Sequence, residues 1–182
     1  MTKDELRSQF ENCKNNYLLG LAGVALFVNE KSYSVLRELS CGFGPYTITF
    51  DQVANLLVVP KDREIAVKEF SNMLLRSLTL DSFGLIRDYC EDTGKTKVLT
   101  SQSWYQFARL IRDCISNASR FKFRNFDKRV LPATWGDREI TAGMDGTYLQ
   151  LSFFGHPEAW ELFQEIDAFA SWLNGVRWNE KP

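Results

Sequence analysis

Between positions 104 and 115 the apolar residues Trp104, Phe107, Ala108, Ile111, Cys114 and Ile115 recur at i, i+3, i+4, i+7, i+10 and i+11. That spacing is the repeat of one face of an α-helix, and no other stretch of the chain shows it as cleanly. A helix with one apolar stripe must bury that stripe against something. Three more segments carry the same constraint. Leu6, Phe10, Cys13, Tyr17, Leu21, Val24 and Val28 predict a long helix over about 3–38, with "VNEKSYS" as its weak point. Gly20 and Gly23 lie inside it. Each costs about 1 kcal/mol against alanine in a helix, which points to close packing by a neighbour. Ile65, Phe70, Leu74, Leu78, Leu85 and Tyr89 mark the buried side of a helix over 62–92, ending at Gly94. Trp160, Phe163, Ile166, Phe169, Ala170 and Leu173 mark a last helix, from His156-Pro157 to Asn174-Gly175.

The remaining segments are irregular or alternating. In residues 39–61, Gly42, Gly44 and Pro45 break regular structure, "YTITF" suits a short strand, and "DQVANLLVV" suits a short helix stopping before Pro60. The Ser/Thr cluster Thr100–Ser103 offers hydroxyls to cap the third main helix. "RFKFRNF" alternates, and the turn signals Gly136-Asp137 and Asp145-Gly146 predict two or three short antiparallel strands within about 121–153. The expected fold is mainly α: a four-to-five-helix bundle in a single domain over 1–182. An N-terminal helix (1–38) and an irregular connection (39–61) precede core helices (62–182), with a small β-hairpin insertion before the last helix.

Composition excludes several functions. The chain is 45% hydrophobic with a formal net charge of −1, so it folds around a core and has no global basic field. Cys13, Cys41, Cys90 and Cys114 form no Cys-x-x-Cys pair and read as reduced thiols, mostly filling the core. The charged N-terminus lacks a short apolar core of the secretory kind, and the run Tyr17–Val28 is too short to cross a bilayer. We therefore expect a cytoplasmic protein that does not enter a membrane. His156 is the one histidine, which leaves no histidine-based zinc site and one conceivable partner for a serine nucleophile, with no serine marked for the part. It reads as a helix-start residue. The pairs Glu158/Glu161 and Glu161/Glu165 are helix-spaced carboxylates that either face water or hold a cation. No phosphate-cradling glycine loop occurs, and no metal or cofactor is expected.

Charge is instead concentrated locally. Arg109, Arg112, Arg120, Lys122, Arg124, Lys128 and Arg129 stand against only Asp113 and Asp127, an excess of five in a chain that is net negative. Phe121, Phe123 and Phe126 interleave. In an alternating strand the phenylalanines enter the core, and Lys122 and Arg124 face water. Such a ridge, with Arg109 and Arg120, suits either phosphate binding or plain solvation. On the neighbouring helix Arg112 sits beside the apolar stripe and Asp113 nearly opposite it. Arg109 and Asp113, four apart, can pair on the surface, and Asn117 can simply end the helix.

The stretch "IRDCISN", in a helical bundle and followed by a hairpin and a final helix, resembles the motif of the HEPN superfamily over roughly residues 60–175. These are helical-bundle proteins, many of them metal-independent ribonucleases of toxin–antitoxin and anti-phage systems. Their motif is an arginine, a polar residue, about three variable residues and a histidine. Arg112 matches the arginine and Asp113 the polar residue, while Asn117 stands where the histidine belongs. The resemblance implies that arginine stabilises charge on phosphate oxygens while histidine moves a proton. Asparagine cannot titrate near neutral pH, and losing general acid–base help costs about 10²–10⁴ in rate. It further implies a homodimer whose motif helices face each other, with Arg112, Asp113 and Asn117 lining a shared cleft. Such a protein binds RNA or a cognate partner protein in a defence or stress system, without efficient cleavage. Two alternatives stand beside it. One is an active metal-independent endoribonuclease using Arg112 and Asn117, with His156 as one source of the proton transfer. The other is a structural or protein-interaction subunit presenting Trp135, Trp172 or Trp178.

Overall fold

Helices carry most of the chain because its apolar residues fall mostly at helical spacing. The computed structural model describes residues 1–173 and 175. Within them are seven α-helices: α1 (Lys3–Phe27), α2 (Tyr33–Glu38), α3 (Asp51–Val58), α4 (Pro60–Asp92), α5 (Thr96–Thr100), α6 (Tyr105–Ser116) and α7 (His156–Leu173). Two antiparallel hairpins complete the described regular structure. β1 (Ser40–Phe43) pairs with β2 (Tyr46–Thr49), and β3 (Ala133–Trp135) with β4 (Arg138–Ile140). The protein is thus mainly helical with two small two-stranded sheets. Among the described residues no helix is long and apolar enough to cross a membrane.

The chain forms two compact units, one of Met1–Lys14 with the residues from Leu75 onward, the other of Asn15–Leu74. The first holds the larger core. Phe107, Ala108, Ile111, Cys114 and Ile115 of α6 are all buried, as the spacing predicts, and so are Ile86 and Tyr89 of α4 and Phe163 and Ile166 of α7. In β3–β4 the Gly136-Asp137 turn carries a positive φ at Gly136, and Ala133, Trp135 and Ile140 point inward while Thr134 and Glu139 point out. The thiols of Cys90 and Cys114 are buried, and burial pushes them up to about 11 and about 12. All four cysteines are free, and Cys41 is exposed.

Several local expectations need correction. The first helix ends at Phe27, where the weak point "VNEKSYS" begins, and does not run on as one helix to residue 38. Asn29 accepts a hydrogen bond from the Lys31 N–H (3.1 Å), a 3₁₀ turn covers Glu30–Ser32, and α2 follows. The Ser/Thr cluster does not cap α6. Its N-cap is Trp104, and the hydroxyls of Thr100 and Ser101 donate backward to the carbonyls of Lys97 and Val98, the local bonding that competes with capping. Ile65 is exposed. The segment 121–124 keeps its alternation, with Phe121 and Phe123 buried and Lys122 and Arg124 exposed. It joins no sheet. An isolated bridge, Arg120 with Tyr148, lies just before it. Trp178 and Asn174 lie outside the described residues.

In the second unit, a Cβ on Gly20 would lie 2.2 Å from a Leu74 methyl, whereas one on Gly23 meets nothing closer than 3.9 Å. Leu74 is buried. Gly20→Ala is therefore expected to destabilise the protein by about 1–3 kcal/mol through overpacking. Gly23→Ala is expected to leave stability unchanged or raise it by up to about 1 kcal/mol. Urea unfolding of both variants checks this, and equal effects at the two positions would refute a packing role specific to Gly20.

Candidate functional site

The C-terminal end of α6 is where the basic residues gather. Asn117 is its C-cap, with its N–H donating to the carbonyls of Asp113 and Cys114. Ala118 and Ser119 then turn the chain through the left-handed region, at φ 53° and 57°. Neither is glycine, so each position carries strain of about 1 kcal/mol. The Asn117 side-chain amide donates to the Arg120 carbonyl at 2.9 Å and closes this turn. The chain leaving the turn runs beside residues 146–149. The Phe121 N–H donates to the Thr147 carbonyl, the Gly146 N–H to the Phe121 carbonyl, and the Leu149 N–H to the Ser119 carbonyl.

This arrangement leaves an open groove of about 480 Å³ lined by Asn117, Ala118, Arg120, Phe121, Lys122, Asp145, Gly146 and Tyr148. Arg120 is fixed at its rim. Its Nε donates to the Gly146 carbonyl at 2.7 Å, and its guanidinium lies 5.5 Å from the centre of the Tyr148 ring. Tyr148 is 61% exposed, so a flat face remains available to a ligand. Asp145 is the acid of the groove. The Phe123 N–H donates to its Oδ1 (3.0 Å) and Lys128 Nζ lies 3.5 Å from Oδ2; against a smaller upward effect of burial, these hold its carboxyl below the usual carboxylate range.

A chain of alternating charges runs beside the groove. Asp127, buried to 4% side-chain exposure, takes Arg109 Nη1 on Oδ1 at 2.6 Å and the Arg124 N–H on Oδ2 at 2.8 Å. The same Arg109 nitrogen lies 3.5 Å from Asp113 Oδ2, and Asp113 Oδ1 accepts from Arg112 Nη1 at 2.8 Å. Asp127 is buried and Phe126 exposed, so Phe126 does not enter the core with Phe121 and Phe123; at an odd separation from both, it falls on the other side of a period-two repeat. The guanidiniums of Arg109 and Arg124 lie 5.4 and 5.8 Å from its ring centre.

The candidate residues thus separate into two groups. Asn117, Arg120 and Lys122 line one groove. Arg124 is exposed beside Phe126. Arg109 is drawn into the Asp127 pair, and Arg112 and Asp113 hold each other on the half-exposed side of α6. His156 is the first residue of α7 and half-buried. Glu158 pairs with Arg138 at 2.5 Å, while Glu161 and Glu165 are exposed. Among the described residues no cluster of three His, Cys, Asp or Glu side chains could hold a metal. Trp135 is buried against Phe107, their ring centres 5.4 Å apart, whereas Trp172 is exposed.

Tyr148 and Asp145 are not anticipated as site residues. Their signal is the Asp145-Gly146 turn, which places an aromatic two residues beyond a reversal. Comparison with protein-family models, curated proteins and solved structures finds no match to this chain.

Two outcomes follow from this geometry. Asp127→Asn breaks a buried pair and is expected to cost about 3 kcal/mol in urea unfolding. Arg112→Ala breaks a surface pair and is expected to cost under about 1 kcal/mol; equal costs would place the key pair elsewhere. Burial lowers the His156 pKa, so folding favours the neutral ring. That contribution is in full force above the unfolded-state pKa and is lost as the pH falls through the folded-state value. The single histidine ring resonance should titrate below the ordinary histidine range, and His156→Gln should reduce the loss of stability on acidification.

Proposed function

We propose that this protein binds single-stranded RNA through the groove at the end of α6 and does not cut it efficiently, as a HEPN-like domain with a degenerate nuclease motif. The observation that carries the reading is the placing of Arg120 and Lys122 on either side of Phe121 in one groove, with the exposed Tyr148 ring as its wall. Proteins that hold single strands combine basic residues that follow the phosphates with aromatic faces on which bases stack. Phe126, exposed between Arg109 and Arg124, supplies a second such face. With a net charge of −1 the chain as a whole does not attract phosphates, so the attraction rests on local basic residues such as these.

The absence of efficient cleavage follows from what the motif residues do. Arg112 is neutralised by Asp113. Asn117 spends its side-chain amide on the Arg120 carbonyl and has no group that titrates near neutral pH. Cys114, on the same helix, is a buried thiol with its pKa pushed to about 12 and is no nucleophile. By the resemblance, the setting is a cytoplasmic defence, toxin–antitoxin or stress system.

Fluorescence anisotropy with a labelled single-stranded RNA tests the reading. Wild type should bind with sub-micromolar affinity that weakens steeply with salt. Tyr148→Ala should weaken binding by about 5–150-fold, the equivalent of one lost stacking contact. The triple variant Arg120→Glu, Lys122→Glu, Arg124→Glu should abolish it, and normal binding by that variant overturns the proposal. RNA incubated with the protein in excess EDTA should stay intact. Cleavage that disappears in Arg112→Ala would establish an active endoribonuclease instead.

A further inference from the structure

The hairpin β1–β2 in the second unit has one apolar face with nothing on it. Its register pairs Cys41 with Ile48 and Phe43 with Tyr46, so these four side chains lie on one side. Ser40, Gly42, Thr47 and Thr49 occupy the other. Leu39, in extended conformation just before β1, continues the apolar side by the two-residue repeat. All eight strand residues are exposed, Phe43 to 62% and Tyr46 to 72%. A lone two-stranded hairpin is at best marginally stable in water, so burying this face would contribute directly to its stability.

We infer that the apolar face of this hairpin is covered by the same face of a second copy of the chain. Three observations single out that occupant. From Leu39 to Phe50 there is no charged residue, so the face offers nothing to select a charged partner and meets no repulsion when it meets itself. The strands also lack the lysines and inward charges with which exposed strands block association. At the observed exposures, Leu39, Cys41, Phe43, Tyr46 and Ile48 offer roughly 500 Å² per copy. Two copies together bury at most roughly 1,000 Å², below the standard interface and in the range of weak, transient contacts, which suits a two-fold dimer formed at higher concentration. The inference is independent of RNA binding, and it places the contact between copies on the hairpin, not on α6.

Sedimentation velocity of the full chain from about 1 to 100 μM, a range bracketing the expected affinity, tests it. Wild type should shift toward the mass of two chains as concentration rises. Phe43→Lys and Tyr46→Lys, both at exposed positions, should weaken dimerisation at least tenfold. A bifunctional maleimide should link wild-type chains into covalent dimers, and Cys41→Ser should prevent this. Arg112→Ala and Asp113→Ala, which alter α6, should dimerise like wild type. The inference is overturned by a wild type that stays monomeric throughout, which assigns the face to a different partner. It is equally overturned if the α6 variants dissociate while the hairpin variants do not.

Discussion

The carboxylate of Asp127 satisfies two demands at once, and the candidate site depends on both. One oxygen takes the Arg109 guanidinium, which reaches across from α6, and the other takes the Arg124 N–H within its own loop. A buried carboxylate without such partners costs several kcal/mol, so Asp127 can stay inward only in conformations of the loop after α6 that make both bonds. Turning Asp127 inward puts Phe126 outside and leaves Lys122 and Arg124 facing water. The pair also decides which charges a ligand can meet. Arg109 is spent inside the protein and Arg112 is cancelled by Asp113, so the accessible positive charge comes from the residues after the helix, Arg120 onward.

The residues that resemble a nuclease motif have local employment. Asn117 sits where α6 must stop, and its amide closes the turn that carries the chain into the groove. Asp113 bridges Arg109 and Arg112. These roles suffice to account for the three residue types in this chain. They also show how a polar pattern on a helix can be used for termination and charge balance. The turn at Ala118 and Ser119 holds two non-glycine residues in the left-handed region beside the groove, the kind of strain that persists where surrounding bonds over-determine it.

Legibility differed by type of signal. The stripe of α6 and the burial of Leu6, Phe10 and Tyr17 in α1 were readable because a helix repeats its environment every three to four residues. The alternation of Phe121 to Arg124 was readable for the same reason at period two. The Ser/Thr cluster misled, because hydroxyls near a helix start can bond backward as well as forward. The inward Asp127 is not legible, because a charge is expected to face water unless a distant partner draws it in; the outward Phe126, three residues beyond Phe123, is what a period of two implies. The strand β1 escaped notice because Ser-Cys-Gly-Phe has weak β-propensity by itself and pairs only because β2 lies beside it.

What the chain's order of residues determined by itself was the set of helices, the apolar stripe each must bury, the local excess of positive charge, and the absence of a titratable group at position 117. Each is a property of neighbours within a few residues, where the period of the backbone decides which side chains share a face. Only the tertiary structure decided which charges cancel and which line a groove. Arg109 meets Asp127 across 18 residues and Arg120 meets Gly146 across 26, separations at which no helical or strand period constrains who lies beside whom.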